Sequence, residues 1–218
     1  MQILVSDHFE TYKKCPKAYY YKYIQGLKIF QPKEKFSLGK NIHALASYKA
    51  KNLDITKLLD ALTFEEKMHF ENLLSNDFFN YPQIASEWGF DVYLDGDFWL
   101  NGRIDAVFEK DDKVIIVDWK TGENLPLNPE ESYQAMIYLY AFYHSKKDFG
   151  MNFLASSLEF WFVETKKPKS VRIIKINDKK MKEIEQKLVQ TAHKMTKDVV
   201  FECNKNGCKF CDYLEICS

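Results

Sequence analysis

The chain has no preponderance of charge: among 218 residues, 31 Lys and Arg balance 31 Asp and Glu. A strongly basic balance would have pointed directly at phosphate partners, and that pointer is missing. No segment has the uninterrupted apolar length of a membrane span, and the N-terminus MQILVSDHFE lacks the basic and apolar regions of a signal peptide. A cytoplasmic protein without a membrane partner is the expectation. Internal repeats, low-complexity tracts and long linkers are also lacking. What remains, 46% hydrophobic and 28% charged, is the composition of a globular chain. It is long enough for one substantial core with a small appended lobe and too short for two large domains.

Charge is nevertheless unevenly distributed. From Lys146 to Lys197 there are 13 Lys or Arg against 6 Asp or Glu, which fits either a basic, DNA-facing side or a solvated outer face of a C-terminal helix.

The stretch Asn101 to Gly122, NGRIDAVFEKDDKVIIVDWKTG, is the most informative. LNGRIDAVFEK and KVIIVDWK are rich in β-branched and aromatic residues and are separated only by Asp111 and Asp112, which predicts a tight hairpin. That turn pairs Lys110 with Lys113 and, counted outward, sets Asp105 opposite Asp118. Lys120, two residues beyond Asp118, joins the same face because strand side chains alternate. Like charges directly across a sheet destabilise it, so the pairing makes sense with a divalent cation between the carboxylates, and hard oxygen ligands suit Mg²⁺ or Mn²⁺. Two acids and an ammonium around such an ion are the equipment of phosphodiester hydrolysis. An isolated D-x-K would be read as an ordinary surface pair; GRID at this spacing argues for a site.

Along the rest of the chain, Ser6 can cap a first helical turn, and Pro16 opens PKAYYYKYIQGL, which Gly26 ends. KFSLGKNIHALASYKAKN has helical spacing, and TFEEKMHFENLLSNDFF begins with Thr63 and Glu66 in capping-box relation. From about Ile84 to Lys120 strand character takes over, with Asp95 and Gly96 at a first turn, giving a three-stranded meander. Asn128 and Pro129 start another helix, SLEFWFVE and SVRIIKI are two further strands, and Asn177 opens the last long helix. This order predicts an α/β fold, a mixed central sheet flanked by helices.

Five cysteines occur, four of them in the last 16 residues as CNKNGCKFCDYLEIC, with Cys15 alone near the N-terminus. In a cytosolic protein that clustering favours metal or cluster ligation over disulfides. Cys208, Cys211 and Cys217 can converge on one centre, with Gly207 permitting a tight loop. The fourth ligand is Cys203, giving a local zinc knuckle, or Cys15, tying the chain ends through an iron–sulfur cluster; spacing does not choose.

Together these pieces resemble the RecB-like branch of the PD-(D/E)xK nuclease superfamily, in particular the group with a C-terminal iron–sulfur lobe that includes CRISPR adaptation exonucleases and the AddB-type repair nuclease domain. The motifs are Ser6, Tyr12, Cys15 and Pro16; Gly39 and His43; Gly102 to Asp105; Asp118 to Gly122; Gln134 and Tyr138; and Cys208, Cys211 and Cys217. They span nearly the whole chain. The resemblance implies a restriction-endonuclease-like core in one domain over 1–218, with 1–30 and 198–218 forming a cluster-binding lobe. It implies that His43, Asp105, Asp118 and the carbonyl of Trp119 hold the catalytic metal, that Lys120 is the catalytic lysine, and that Gln134 and Tyr138 help place DNA. Cys15, Cys208, Cys211 and Cys217 would hold a [4Fe–4S] cluster, and Cys203 is an extra thiol. Glu87, just before the meander, is a further carboxylate near the metal.

The expectation is a metal-dependent DNA nuclease, an exonuclease on single-stranded DNA or DNA ends, serving CRISPR adaptation, recombination and repair, or phage DNA processing, with protein partners in a DNA-processing complex. A non-catalytic DNA-binding scaffold and a zinc-binding interaction module are the rival readings.

Overall fold

The computed structural model describes residues 1–28, 37–122, 125–126, 128–197, 200–205, 208 and 211–217. Gly207 and parts of the two expected lobe segments lie outside the described residues.

The N-terminal third is mainly helical. A short strand β1 (Gln2–Leu4) precedes α1 (Ser6–Lys14) and α2 (Pro16–Tyr19), which runs into one π-helical turn, Tyr20–Ile24, before Gly26 at φ +69° ends it. Helices α3 (Ser37–Ala50), α4 (Thr56–Asp60) and α5 (Phe64–Leu74) follow. β1 and α4 were not anticipated, being too short to show a period. Ser6 is the first helical residue and not the cap: Val5 takes that position and its N–H donates to His8 Nδ1 at 3.2 Å. The capping box at α5 forms as expected, with Glu66 N–H donating to Thr63 Oγ1 at 3.3 Å and Thr63 N–H donating to Glu66 Oε2 at 2.9 Å. The second Glu66 oxygen accepts from Asn41 on α3 at 2.5 Å, so one cap also ties two helices.

The meander is present as β2 (Gln83–Asp95), β3 (Phe98–Lys110) and β4 (Lys113–Lys120). Its first turn is Gly96 and Asp97, one residue later than anticipated, because Asp95 pairs with Phe98 and Gly96 supplies the left-handed φ of +53°. Helix α6 (Tyr133–Ser145) begins at Ser132, whose hydroxyl accepts from Ala135 N–H, while Asn128 and Pro129 only lead into a 3₁₀ turn. Strands β5 (Leu158–Glu164) and β6 (Ser170–Lys175) and helix α7 (Asp178–Lys197) complete the chain, and Asn177 Oδ1 caps α7 by accepting from Lys180 N–H at 2.8 Å.

The six strands make one mixed sheet in the order β1-β3-β4-β5-β6, with β2 paired to β3. On one edge of β3, β2 runs antiparallel from Phe98 to Phe108. On the other edge, β1 pairs at Phe98 to Leu100 and β4 at Ala106 to Lys110. These pairings leave Asn101 to Asp105, the stretch containing GRID, in a notch between β1 and β4.

Two cores lie on opposite faces. One buries Val114, Ile116, Phe160 and Phe162 against α6 and α7; the other buries Ile115, Val117, Trp119 and Val163 against α3 and α5. Ten of the thirteen residues of α6 are buried, as suits an all-round apolar helix held between the sheet and its neighbours. α7 buries Met181, Ile184, Leu188 and Met195 at helical spacing, and its Lys179 and Lys180 pair with Glu183 of the same helix. Part of the basic excess is therefore spent on the helix's own acids.

Candidate active site

The register of the hairpin is the one counted from its turn, Lys110 opposite Lys113, out to Ala106 opposite Val117. There it stops, one pair short of Asp105 and Asp118. From Asp118 to Lys120, β4 keeps its parallel pairing with β5 but leaves β3, and the Trp119 N–H donates to Asp105 Oδ2 at 3.1 Å. A side-chain carboxylate thus takes the place of a ladder carbonyl.

The alternation of β3 also reverses at this point. Ile104 and Val107 belong to one core, and Ala106 and Phe108 to the other, so the faces switch at Asp105. Across the β2 pairing, the residue between Ser86 and Trp88 is Glu87, which takes φ +50°. A non-glycine residue in the left-handed region inside a strand is strained, and such kinks re-aim side chains near active sites. Glu87 therefore sits within the meander and not before it, beside Asp105.

Around the notch, His43 on α3 comes within 3.2 Å of Asp105 Oδ1 through Nδ1, and Arg103 Nε lies 3.0 Å from Glu87 Oε2. His43, Glu87 and Asp105 each offer a ligand atom within 4.8 Å of the others. Asp118 is 2% exposed. Lys120 Nζ lies 2.7 Å from its Oδ2 and donates to Gln134 Oε1 at 2.6 Å. Gln134 Nε2 donates to Asp118 Oδ1 at 2.7 Å and to the Tyr138 hydroxyl at 3.3 Å. The glutamine on α6 thereby bridges the acid and the lysine of β4.

Electrostatics follow from the crowding. Burial raises the pKa of Asp118 to about 6, with Lys120 opposing and Asp105 adding to the rise. Burial works against the charged form of His43, but the hydrogen bond and charge of Asp105, with Asp118 and Glu87, raise its pKa overall. Burial and then Asp105 raise that of Glu87. The fit to a hard cation rests on the donors: Glu87 Oε1 is buried with no hydrogen-bond partner, while Asp118 Oδ2 meets the Lys120 ammonium at 2.7 Å. That unpartnered oxygen, with Asp105 and the His43 imidazole within 4.8 Å, suits Mg²⁺ or Mn²⁺.

Two motif residues act partly through packing. A Cβ on Gly102 would meet Phe90 Cζ at 2.6 Å and Tyr138 Cε1 at 3.3 Å, so the glycine of GRID lets these rings close over the strand. Tyr138 is 8% exposed; its ring packs on Phe90 and Phe160 and its hydroxyl alone reaches the notch. A Cβ on Gly39 would lie 3.3 Å from Thr121 Oγ1, which sets how closely α3 approaches the end of β4.

The thiols gather elsewhere. Cys15, between α1 and α2, packs with Ala18, Tyr21 and Tyr213, and with Cys203, Cys211 and Cys217. Cys203 Sγ is 3.2 Å from Cys208 Sγ and 3.4 Å from Cys217 Sγ, and the Cys15 sulfur accepts from Asn204 N–H at 3.4 Å. Cys15, Cys208 and Cys211 line a cavity of about 670 Å³. A wholly thiol donor set drawn from both ends of the chain suits a thiophilic centre, iron–sulfur or zinc alike. The extra thiol, Cys203, lies among the others and not apart from them.

Residues 6–218 match the family model of the PD-(D/E)XK nuclease superfamily, and the chain belongs to that superfamily. Among solved structures, it is similar to a Eubacterium rectale protein named "Putative exonuclease", with a TM-score of 0.55 and 14% identity over 98% of this chain and 87% of that one. It also aligns with the protein SSO0001, with a TM-score of 0.44 and 17% identity over 100% of this chain and 86% of that one. No curated protein matches the sequence.

Proposed function

We propose that the protein is a metal-dependent deoxyribonuclease that hydrolyses phosphodiester bonds, acting as an exonuclease on single-stranded DNA or DNA ends. The observation that carries this reading is the notch itself: Asp105 and Asp118 buried together where β4 leaves β3, with Lys120 Nζ 2.7 Å from Asp118. His43, Asp105, Asp118 and the Trp119 carbonyl, with Glu87 beside them, would hold Mg²⁺ or Mn²⁺, and such an ion would supply an activated water and Lewis acidity toward a phosphoryl oxygen. Lys120 orients the nucleophile and neutralises developing charge. Gln134 fixes the spacing of Asp118 and Lys120 until DNA arrives, and with Tyr138 it helps to place the strand.

In this reading 1–218 is one nuclease domain of the RecB-like type, and 1–30 with 198–218 form a lobe in which Cys15, Cys208, Cys211 and Cys217 hold a structural [4Fe–4S] cluster. The setting is CRISPR adaptation, recombination and repair, or phage DNA processing, in the cytoplasm and with protein partners.

The test is cleavage of end-labelled linear and closed circular single-stranded DNA with Mg²⁺, Mn²⁺ or no metal. Metal-dependent loss of the linear substrate alone supports the exonuclease. Cleavage of circles assigns an endonuclease, and no cleavage of either overturns the reading.

A further inference from the structure

A buried polar chain outside every motif reaches the catalytic strand from behind. His69 on α5 and Thr165, the residue after β5, are 1% and 0% exposed. His69 Nδ1 lies 2.6 Å from Thr165 Oγ1. Thr165 N–H donates to the Lys120 carbonyl oxygen at 3.0 Å, and Thr165 Oγ1 lies 3.2 Å from the same oxygen. Asn72, also on α5, donates from Nδ2 to the Thr165 carbonyl at 3.0 Å. Lys120 ends β4, so this carbonyl is where the active-site strand is tied as the chain leaves the sheet.

The proton count selects a direction. Thr165 has one hydroxyl proton, and if it goes to the Lys120 carbonyl, the hydroxyl must accept from His69 Nδ1–H. Burial lowers the pKa of His69, which keeps the ring neutral and leaves one ring proton to place. The chain from His69 through Thr165 to the Lys120 carbonyl then gives the Thr165 hydroxyl both a donor and an acceptor, whereas the reverse direction leaves the carbonyl with the Thr165 N–H alone.

We propose that His69 and Thr165 are positioning residues for the catalytic lysine. They hold the backbone at Lys120 so that its ammonium meets Asp118 and Gln134 at 2.7 and 2.6 Å. The side-chain tip is held by those partners and its backbone by the strand, and a misplacement of about 1 Å at a reacting group can cost about 100-fold in rate. The proposal rests on the nuclease reading above.

The experiment is steady-state cleavage with full metal and DNA titrations. Thr165→Val deletes the hydroxyl and keeps the backbone N–H bond; kcat should fall about tenfold, with KM for DNA and the half-activating metal concentration within about twofold of the original. Thr165→Ser, which keeps the hydroxyl, should recover kcat, and His69→Leu should reproduce the loss. Unchanged kcat in Thr165→Val and His69→Leu overturns the proposal. So does a Thr165→Ser variant as slow as Thr165→Val, or a parallel loss of metal and DNA affinity, which would mark general loosening. If Thr165→Val fails to fold, His69→Leu decides by the same split. An unmodified protein with no metal-dependent cleavage overturns the nuclease reading instead.

Discussion

The carboxylate notch and the thiol lobe both gather charged or ionisable groups, by opposite means. The notch draws on α3, β2, β3, β4 and α6, each anchored in the sheet or packed against it, and its geometry follows from one register and one kink. The lobe draws on the junction of α1 and α2 and on the last 16 residues, which carry short 3₁₀ turns such as Leu214–Ile216 and no described α-helix or strand. In the first, the backbone holds the side chains before any ion binds. The second is held by a small apolar cluster around Tyr21 and Tyr213, and a bound centre would supply folding energy there by joining segments some 200 residues apart. On the proposed function, preorganisation would serve chemistry in one place and cross-linking would serve stability in the other.

The strongest test of that division removes a charged group from the notch. Asp118→Ala or Lys120→Ala should lower cleavage by at least about 1,000-fold, while circular dichroism and the content of the thiol lobe stay as they were. Full activity in either variant would remove the notch as the site. Replacing Mg²⁺ or Mn²⁺ by Ca²⁺ should also abolish turnover, since the larger ion binds oxygen without enforcing the tight octahedral geometry; equal rates with Ca²⁺ would argue against this mechanism.

The opposite variant set addresses the lobe. On the cluster reading, anaerobically purified protein should be brown with iron and sulfide; Cys15→Ser should lose both and become prone to aggregation, while Cys203→Ser keeps colour and solubility. Since Cys203 touches Cys208 and Cys217, the reverse result would assign a local four-cysteine centre, and zinc in place of iron would settle the metal against a cluster.

A finer prediction uses acidity. Asp118, with its pKa raised to about 6 by burial, must lose its proton before an ion can bind, so the half-activating metal concentration should rise up to about tenfold per pH unit below 6. The metal-free fold has the opposite dependence. Because the folded pKa exceeds the unfolded one, stability is greatest below about pH 4 as far as this group is concerned, and it is lost as pH rises toward 6, by up to about 3 kcal/mol. Thermal unfolding with and without Mn²⁺ across pH 4 to 8 separates the two; a metal titration flat across pH 5 to 8 would remove Asp118 from the ligand set. The smallest effect belongs to Gly102→Ala, where the 2.6 Å approach to Phe90 should cost about 1–3 kcal/mol of stability, read from denaturant midpoints.

The sequence determined the hairpin register, because a two-residue turn and strand alternation leave no freedom in how Lys110 and Lys113 pair. It also determined the order of the longer helices and the capping box of α5, which are local. Cysteine clustering was legible, since four thiols in 16 residues are unlike a buried core. What sequence did not carry is every relation set by distant contacts. β4 departs from β3 one pair before the two acids meet; Glu87 turns left-handed inside β2; Gln134 links Asp118 to Lys120; Cys203 joins the other thiols; and His69 reaches Lys120 through Thr165. Periodicity predicts which face a side chain takes in a regular strand, but the site exists where that regularity breaks. Where it breaks was decided by the packing of α3 and α6 on opposite faces of the sheet.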